Sequence, residues 1–496
     1  MNKTCAELFV GVECTIIGNE NEPVSGIAYN SSAVCEGDVF FCIVGAKVDG
    51  HTFAQDAINR GARVLVVERK LYLADATDVT EVVVSDSRSA MAIASARFYD
   101  RPSDKLKLVG ITGTNGKTTT TYLVQHIVEA AGKNCGVIGT VGTVIGDKVE
   151  KSTRTTPESP DLQKLFSRMV GANCQVVAME VSSHALDLKR TYASKFAVTA
   201  FSNLTQDHLD YHKTFEDYFE AKARLFSSEY PARRVICIDD AWGQKLLARC
   251  SKASDNVITC GFTHQAQIHP QNVEYSLGRT NLTLSVRGEV FEFEFPLTGK
   301  FNVENVMCAF GICLQLGMSA QSIVSALEDV PQIPGRLERI NAKNTGGISV
   351  FVDYAHTPDA LEKALGAIKA LTKGKTICVF GCGGDRDSSK RPIMGRAALV
   401  ADRAIVTSDN PRTENPNAII DDIVAGMVGH EARFSVEADR ASAIKQAVSM
   451  ASANDSILIA GKGHEDYQLV GSKVLSFDDR QVAKQVLEEA FDQTQG

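Results

Sequence analysis

Leu106-Lys-Leu-Val-Gly-Ile-Thr-Gly-Thr-Asn-Gly-Lys-Thr-Thr119 decides how this chain is read. Its apolar first half predicts a strand over 106–112, Gly113-Thr-Asn-Gly116 a turn, and the residues from Lys117 to about 131 a helix. Glycines let backbone N–H groups come close to phosphate oxygens, and the unpaired N–H groups at the helix start add positive potential. Lys117 reaches the terminal phosphates of a nucleotide, and the Thr118 hydroxyl suits Mg²⁺. Gly113, Thr114, Asn115, Gly116, Lys117, Thr118 and Thr119 therefore form a candidate ATP loop. A glycine turn before a helix is the plainer alternative, but Gly-Lys-Thr between an apolar strand and a helix argues against it. The spacing is shorter than G-x-x-x-x-G-K-[ST], because position 111 is Ile111 rather than glycine.

Outward from this loop, Val/Ile-rich segments alternate with helical patterns. On the N-terminal side, 39–44, 63–68 and 82–85 read as strands, and 53–60 and 87–99 as helices. The polar stretch Asp100-Arg-Pro-Ser-Asp104 reads as a linker. On the C-terminal side, 175–181 and 196–202 read as buried strands. Strict alternation over 281–295 around Arg287-Gly288 predicts a hairpin, and 302–316 and 319–327 are helical. Val330-Pro-Gln-Ile-Pro-Gly335 marks a second boundary. Beyond it, 349–353, 376–380, 404–407 and 456–460 read as strands, each followed by a helical pattern. Strands alternating with helices imply βαβ units and parallel sheets covered on both faces. The expected fold class is α/β with three domains, 1–100, 101–333 and 334–496.

A length of 496 residues fits that count at about 100–200 residues per domain. With 44% hydrophobic and 23% charged residues, the composition is that of a globular protein rather than a disordered or fibrous one. Lys and Arg total 52 against 60 Asp and Glu, a formal charge of -8. That balance offers no bulk attraction for nucleic acid or an anionic membrane, so anionic ligands must be held by local groups. The 13 cysteines include no C-x-x-C pair, and Cys378 and Cys382 are the closest two. This pattern fits reduced thiols in a cytoplasm, most of them acting as small buried hydrophobes. Glu7 and Glu13 interrupt any apolar run near the start, so no signal peptide is expected. No stretch approaches the roughly 18 apolar residues of a spanning helix.

Other chemistry-bearing residues follow strands. Glu180 ends an apolar strand, where an open α/β sheet binds ligands, and a carboxylate there suits Mg²⁺. Asp207, His208, Asp210 and His212 could bind a metal or only cap the next helix; spacing leaves both open. Lys222, on an amphipathic helix, reads by itself as a surface lysine. Arg386 and Arg412 follow two further apolar strands, and a planar guanidinium suits a carboxylate. Glu465 could accept a hydrogen bond from an ammonium, although structural ion pairs are the alternative for these charges.

In chain order, GTNGKTT, EVSSHAL, NLTQDHLDYH, YFEAKARLF, GKFNVEN, PGRLE, DYAHTP, GCGGDRD, DNPRTENP and GKGHEDYQ resemble the motifs of the Mur ligases. That family belongs with the folylpolyglutamate synthetases in a superfamily that makes amide bonds from ATP and a carboxylate. The resemblance implies an N-terminal α/β uridine-nucleotide-binding domain, a central P-loop ATPase domain with a mostly parallel sheet, and a C-terminal Rossmann-like domain that binds an amino acid. It is strongest to the step that adds meso-2,6-diaminopimelate to UDP-N-acetylmuramoyl-L-alanyl-D-glutamate through an acyl phosphate.

The same resemblance assigns roles to residues. Lys222 becomes a CO₂-derived carbamate that ligates metal with Thr118, Glu180 and His208. Asn302 and Asn305 take a structural or a nucleotide role, Arg336 near the boundary reaches the phosphates, and Asp353 and His356 contribute to closure over the nucleotide. Tyr29 and Ser31 touch the uridine end, and Ala46, Lys47 and Val48 line the diphosphate side. Thr155, Thr156, Ser182 and Arg190 contact the sugar and peptide; Arg154 stands where many relatives have Asn, and Leu188 where some have Gln. Asp409-Asn-Pro-Arg412 (Asp409, Asn410, Pro411 and Arg412) matches the diaminopimelate-type motif, with Arg412 facing the distal carboxylate. Arg386, Gly461 and Glu465 hold the other end. Small molecules are the expected partners, with no nucleic acid and no membrane insertion, for a cytoplasmic monomer. The rivals are the same reaction with L-lysine, a folylpolyglutamate synthetase (whose loop usually ends Gly-Lys-Gly-Ser, unlike Gly116-Lys-Thr-Thr119), and a switch driven by nucleotide hydrolysis.

Overall fold

A computed structural model describes residues 3–45, 48–71, 78–152, 154–250 and 256–491, with Leu209 and Asp210 described by backbone alone. Three sheets follow one another along the chain, each built where Val- and Ile-rich runs are buried on both faces.

The first contains β1 (Cys14–Ile17), β2 (Gly26–Ala28), β3 (Asp38–Phe41), β4 (Val64–Val67) and β5 (Thr80–Val84), in the order β1-β5-β4-β3-β2. Only β1 is antiparallel to its neighbour. Alternate residues feed two cores: Val39, Phe41, Val64 and Val66 one side, Phe40, Leu65 and Val67 the other. The helix Ser87–Phe98 packs on the first side, capped by Asp86, which accepts from the Arg88 and Ser89 N–H groups.

The second sheet carries the loop quoted above. Its strands are β6 (Lys107–Thr112), β7 (Cys135–Ile138), β8 (Thr143–Ile145), β9 (Lys148–Glu150), β10 (Val176–Glu180), β11 (Phe196–Phe201), β12 (Arg233–Cys237), β13 (Val257–Cys260), β14 (Ile268–Ser276), β15 (Arg279–Val286) and β16 (Glu289–Phe295). Their order is β9-β8-β7-β10-β6-β11-β12-β13-β14-β15-β16. From β7 to β14 neighbours run parallel, and antiparallel strands finish both edges. The expected hairpin is β15–β16, and β14 adds a third strand to it. Val109, Ile111, Ala178 and Ala200 face the helices Lys117–Ala130, Lys300–Gln315 and Ala320–Leu327. Leu108, Val177 and Met179 face Leu162, Phe166 and Met169 of the helix Ser159–Gly171. Topology therefore sets β6 between β10 and β11, so the loop after β6 and Glu180 at the end of β10 meet at the carboxyl ends of these central strands.

The third sheet contains β17 (Glu338–Arg339), β18 (Ser349–Asp353), β19 (Thr376–Phe380), β20 (Arg403–Val406), β21 (Phe434–Val436) and β22 (Ser456–Ala460), in the order β17-β18-β22-β19-β20-β21. All pairs but β17–β18 are parallel. A small hairpin, β23 (Tyr467–Val470) with β24 (Lys473–Ser476), follows. Beneath this sheet a bidentate pair, Arg440–Asp479, has both side chains at 0% exposure. Among the described residues no helix is long and apolar enough to cross a membrane.

Candidate active site

Gly113 and Gly116 shape the loop after β6. Gly116 caps the helix Lys117–Ala130 with φ 86°, a left-handed conformation that favours glycine. A Cβ on Gly116 would overlap Asn305 Oδ1, and one on Gly113 would overlap Ser202 Oγ. The loop is thus pinned between the ends of β6 and β11 and the buried side chain of Asn305. Asn305 in turn donates to Asn302 Oδ1 (3.2 Å), and Asn302 to the Thr298 carbonyl (2.8 Å). Asn115 N–H donates to Asn203 Oδ1 at 2.9 Å. Lys117 lies back along the loop, its Nζ 2.9 Å from the Gly113 carbonyl and 2.8 Å from that of Thr114. Thr119 is buried beneath it.

Around the loop stand the expected oxygen donors. Glu180 is 1% exposed. It accepts from the Thr118 hydroxyl (2.9 Å), the Thr140 N–H (2.8 Å) and the Thr140 hydroxyl (3.1 Å). A buried carboxylate beside a hydroxyl is a hard-oxygen pair, which fits Mg²⁺. Lys222, which reads as a surface residue in isolation, is instead 1% exposed. Its Nζ donates to the Gly113 carbonyl at 2.8 Å and lies 4.5 Å from the Tyr218 ring centroid. Burial, and then the charge of Lys117, hold this amine well below the usual lysine range. His208, at φ 53°, sits on the rim 3.4 Å from Asp207. His212 is drawn inward, 2.8 Å from Ser183 Oγ and stacked on Tyr218. Among the described residues, the three acid, histidine or cysteine ligand atoms found within 4.8 Å of one another belong to Cys237, Cys260 and Cys308. All three lie in the apolar core under the second sheet, as buried small side chains do.

Residues after the second sheet and from the third close onto these strand ends. Arg336 donates from Nη2 to the Thr118 hydroxyl at 3.0 Å, its guanidinium 4.6 Å from the Tyr354 ring. Asp359, which the sequence pattern does not single out, accepts from Asn115 Nδ2 (3.2 Å) and the Thr205 hydroxyl (3.3 Å). Lys151 pairs with Asp466 at 2.7 Å. Asp353 has a local duty: it accepts from the Leu337 N–H (2.6 Å) and the Ala355 N–H (2.7 Å). His356 Nδ1 bonds the Tyr354 carbonyl at 2.8 Å.

A second group lies between the first two sheets. Thr156 Oγ1 donates to the Glu180 carbonyl (2.8 Å) and accepts from the Ser182 N–H (3.1 Å). Thr155 Oγ1 lies 3.0 Å from Thr140 Oγ1. Arg190 donates to the Thr156 carbonyl at 3.1 Å. Glu158, 6% exposed, gathers Arg190 (2.9 Å), Arg154 (2.5 Å) and Arg88 (3.5 Å), a net cationic cluster. The acid four residues after Arg154 was the sequence signal for it. Tyr29 donates to Asp161 Oδ2 at 2.6 Å, and Ser31 opens the short helix Ser31–Ala33. Val48 is exposed, and its carbonyl accepts from the Gly45 N–H (3.0 Å). Ala46 and Lys47 lie outside the described residues.

At the carboxyl ends of β19, β20 and β22, a third group forms. Arg412, at φ 51°, is held there by its N–H to the Leu469 carbonyl (3.0 Å) and its carbonyl to the Gly471 N–H (2.6 Å). Its Nη1 donates to the Gly384 carbonyl at 2.8 Å, over Gly383, which has no side chain to block it. Asn410 donates to Glu465 Oε2 (2.9 Å) and accepts from the Leu469 N–H (2.9 Å). Asp409 is buried, and a Cβ on Gly461 would touch its carboxylate. Pro411 is buried in the same turn, and Arg386 stays exposed beside Gly383. A cation, Arg412, and the acids Asp409 and Glu465 thus share one loop cluster at these strand ends.

Three family models match the chain in succession: "Mur ligase family, catalytic domain" over 23–99, "Mur ligase middle domain" over 111–313, and "Mur ligase, glutamate ligase domain" over 335–463. The UDP-N-acetylmuramoyl-L-alanyl-D-glutamate–2,6-diaminopimelate ligase of Clostridium botulinum is 44% identical over 480 residues, 96% of this chain and 98% of that protein. The ligase of the same name from Geobacillus kaustophilus is 43% identical over 477 residues, 95% and 96% of the two chains. A solved structure of a UDP-N-acetylmuramoyl-L-alanyl-D-glutamate–2,6-diaminopimelate ligase superposes with a TM-score of 0.71 at 33% identity, covering 99% of both chains.

Proposed function

The chain belongs to the Mur ligase family, and from that premise we propose that it is an ATP-dependent ligase of peptidoglycan precursor synthesis. It joins meso-2,6-diaminopimelate to the D-glutamyl side-chain carboxylate of UDP-N-acetylmuramoyl-L-alanyl-D-glutamate. The observation that carries this reading is the pairing of a nucleotide loop on the second sheet with a split-charge pocket on the third, linked by Arg336–Thr118 and Lys151–Asp466. The three sheets serve as three domains, one for each substrate.

The γ-phosphoryl group of ATP passes to an oxygen of the glutamyl carboxylate, releasing ADP. The neutral amine of diaminopimelate attacks the acyl carbon, and phosphate leaves with the former carboxylate oxygen. Both reactants of the first step are anions, so catalysis is chiefly positioning and charge neutralisation. Loop N–H groups, Lys117 and Arg336 hold the phosphates. Arg190, Ser182 and Thr156 orient the dipeptide, aided by the surplus positive charge around Glu158. Mg²⁺, when bound by Thr118, Glu180 and His208, supplies further neutralisation at the phosphates. Lys222 is proposed to join that set as its carbamate. Its depressed basicity supports this, because only an unprotonated amine adds CO₂. Arg412 pairs the distal carboxylate, while Glu465 and Asp409 receive an ammonium. L-Lysine lacks that carboxylate and leaves Arg412 unpaired. The cytoplasm, where ATP and nucleotide sugars coexist, is the proposed compartment.

The test supplies purified protein with Mg²⁺, ATP, the UDP-muramyl dipeptide and a panel of amino acids, and weighs the products by mass spectrometry. The reading expects ADP and a product enlarged by one diaminopimelyl residue, with lysine far slower. ADP release without enlargement would assign the site to another reaction.

A further inference from the structure

Asp409, Asn410 and Glu465 of the amino-acid pocket converge on Lys462, a residue to which no role has yet been given. Its side chain is at 0% exposure. Nζ lies 3.1 Å from Asn410 Oδ1, 3.2 Å from Glu465 Oε2 and 3.4 Å from Asp409 Oδ1. The Tyr467 ring centroid is 5.7 Å away. An ammonium has three donors and no acceptor, so all three N–H groups are taken up inside the pocket. A fully buried lysine persists only when paired, and this one is paired twice. Two carboxylates against one ammonium leave the trio with a single negative charge.

We propose that Lys462 is the inner counter-ion of the amino-acid pocket, a positioning residue that holds Asp409 and Glu465 side by side, aligned to receive an ammonium of the incoming diamino acid. The proposal rests on the ligase reading above. Lys462 has no N–H left for a ligand and acts only through the two acids. With Lys462 in place, the residual charge matches one ammonium, and Arg412 matches one carboxylate. Without it, Glu465 faces the neighbouring acid Asp409 with no counter-ion, takes up a proton and stops attracting the amine. Burial already raises Glu465 above the ordinary carboxylate range; Lys462 and the Asn410 amide oppose that rise, and Asp409 adds to it. The other charged or titratable groups that interact with Asp409 or Glu465 include Arg440, Tyr354, Tyr467 and Cys382.

The test compares wild type, Lys462→Met and Lys462→Arg with Mg²⁺, ATP, the UDP-muramyl dipeptide and diaminopimelate. Truncating one member of a buried charge pair costs enough to raise the KM for diaminopimelate about tenfold or more. The KM values for ATP and the muramyl substrate stay near wild type. The acid limb of kcat/KM for diaminopimelate moves to higher pH in Lys462→Met, and Lys462→Arg, which keeps the charge, moves it back. Melting curves establish that each variant is folded, and Lys462→Gln gives the same readout if the methionine variant does not fold. Folded variants with wild-type KM and an unmoved acid limb overturn the proposal, as does an equal loss for all three substrates. A wild-type protein that releases no ADP with diaminopimelate overturns the ligase reading instead.

Discussion

Replacing Arg412 with alanine isolates the proposed choice of amino acid. The backbone there is held left-handed by two hydrogen bonds to 469–471, which do not involve the side chain, so the turn survives the change. What is lost is a half-buried guanidinium anchored to the Gly384 carbonyl, with its remaining N–H groups available for a carboxylate. Removing one partner of a buried, hydrogen-bonded charge pair costs about 2–5 kcal/mol. Partial exposure places Arg412 at the lower end, about 2 kcal/mol, or roughly 30-fold in kcat/KM for diaminopimelate. L-Lysine, without the distal carboxylate, loses little, so the preference ratio falls by about the same factor. Coupled ADP release measured with each amino acid in parallel gives the ratio directly. An unchanged ratio, or equal losses for both amino acids, would refute the assignment of Arg412.

Three further outcomes follow from the structure. Arg440→Leu strands Asp479 in the core under the third sheet and should cost about 3–5 kcal/mol, seen as a fall of roughly 10 °C in Tm; replacing both residues by leucine should recover most of it. His464 is held down to about 4 by burial and by Arg336 and Arg480, against about 6.5 when unfolded. The folded state therefore binds fewer protons, and stability is lost as pH falls from about 6.5 to 4; His464→Phe should flatten the Tm profile across that window. Activity should drop in CO₂-depleted buffer and return with hydrogencarbonate, whereas Lys222→Ala should not respond; equal behaviour of the two proteins would remove the carbamate.

The loop after β6 was legible because its signals are local: an apolar strand, glycines where φ must be positive, and a helix start. The strands β18, β19, β20 and β22 were legible for the same reason, as buried apolar runs. β14 was not. Its residues alternate poorly, and Pro270 sits at a register shift where a proline can be tolerated, so only pairing with β15 makes it a strand. The order of the sheets, which sets Glu180 beside Thr118, is likewise a property of chain crossover rather than of any segment. Lys222 shows the limit most plainly. Its helix is amphipathic, and sequence alone reads it as a surface residue, yet packing against the loop after β6 buries it completely. Lys462 and Glu158 each have one partner close in sequence, Glu465 and Arg154, but the others that define their roles, Asp409 and Asn410 for one and Arg88 and Arg190 for the other, converge only on folding. The exposure of Arg386, which the family resemblance places at the amino-acid site, shows the converse: position in a motif does not dictate burial.

The central claim is that phosphorus moves from ATP to the glutamyl carboxylate before nitrogen attacks. Labelling both oxygens of the D-glutamyl side-chain carboxylate with ¹⁸O tests it most directly. The account predicts one ¹⁸O in the inorganic phosphate for every amide bond formed, with the other retained in the product. Amide formation that leaves the phosphate unlabelled would contradict it.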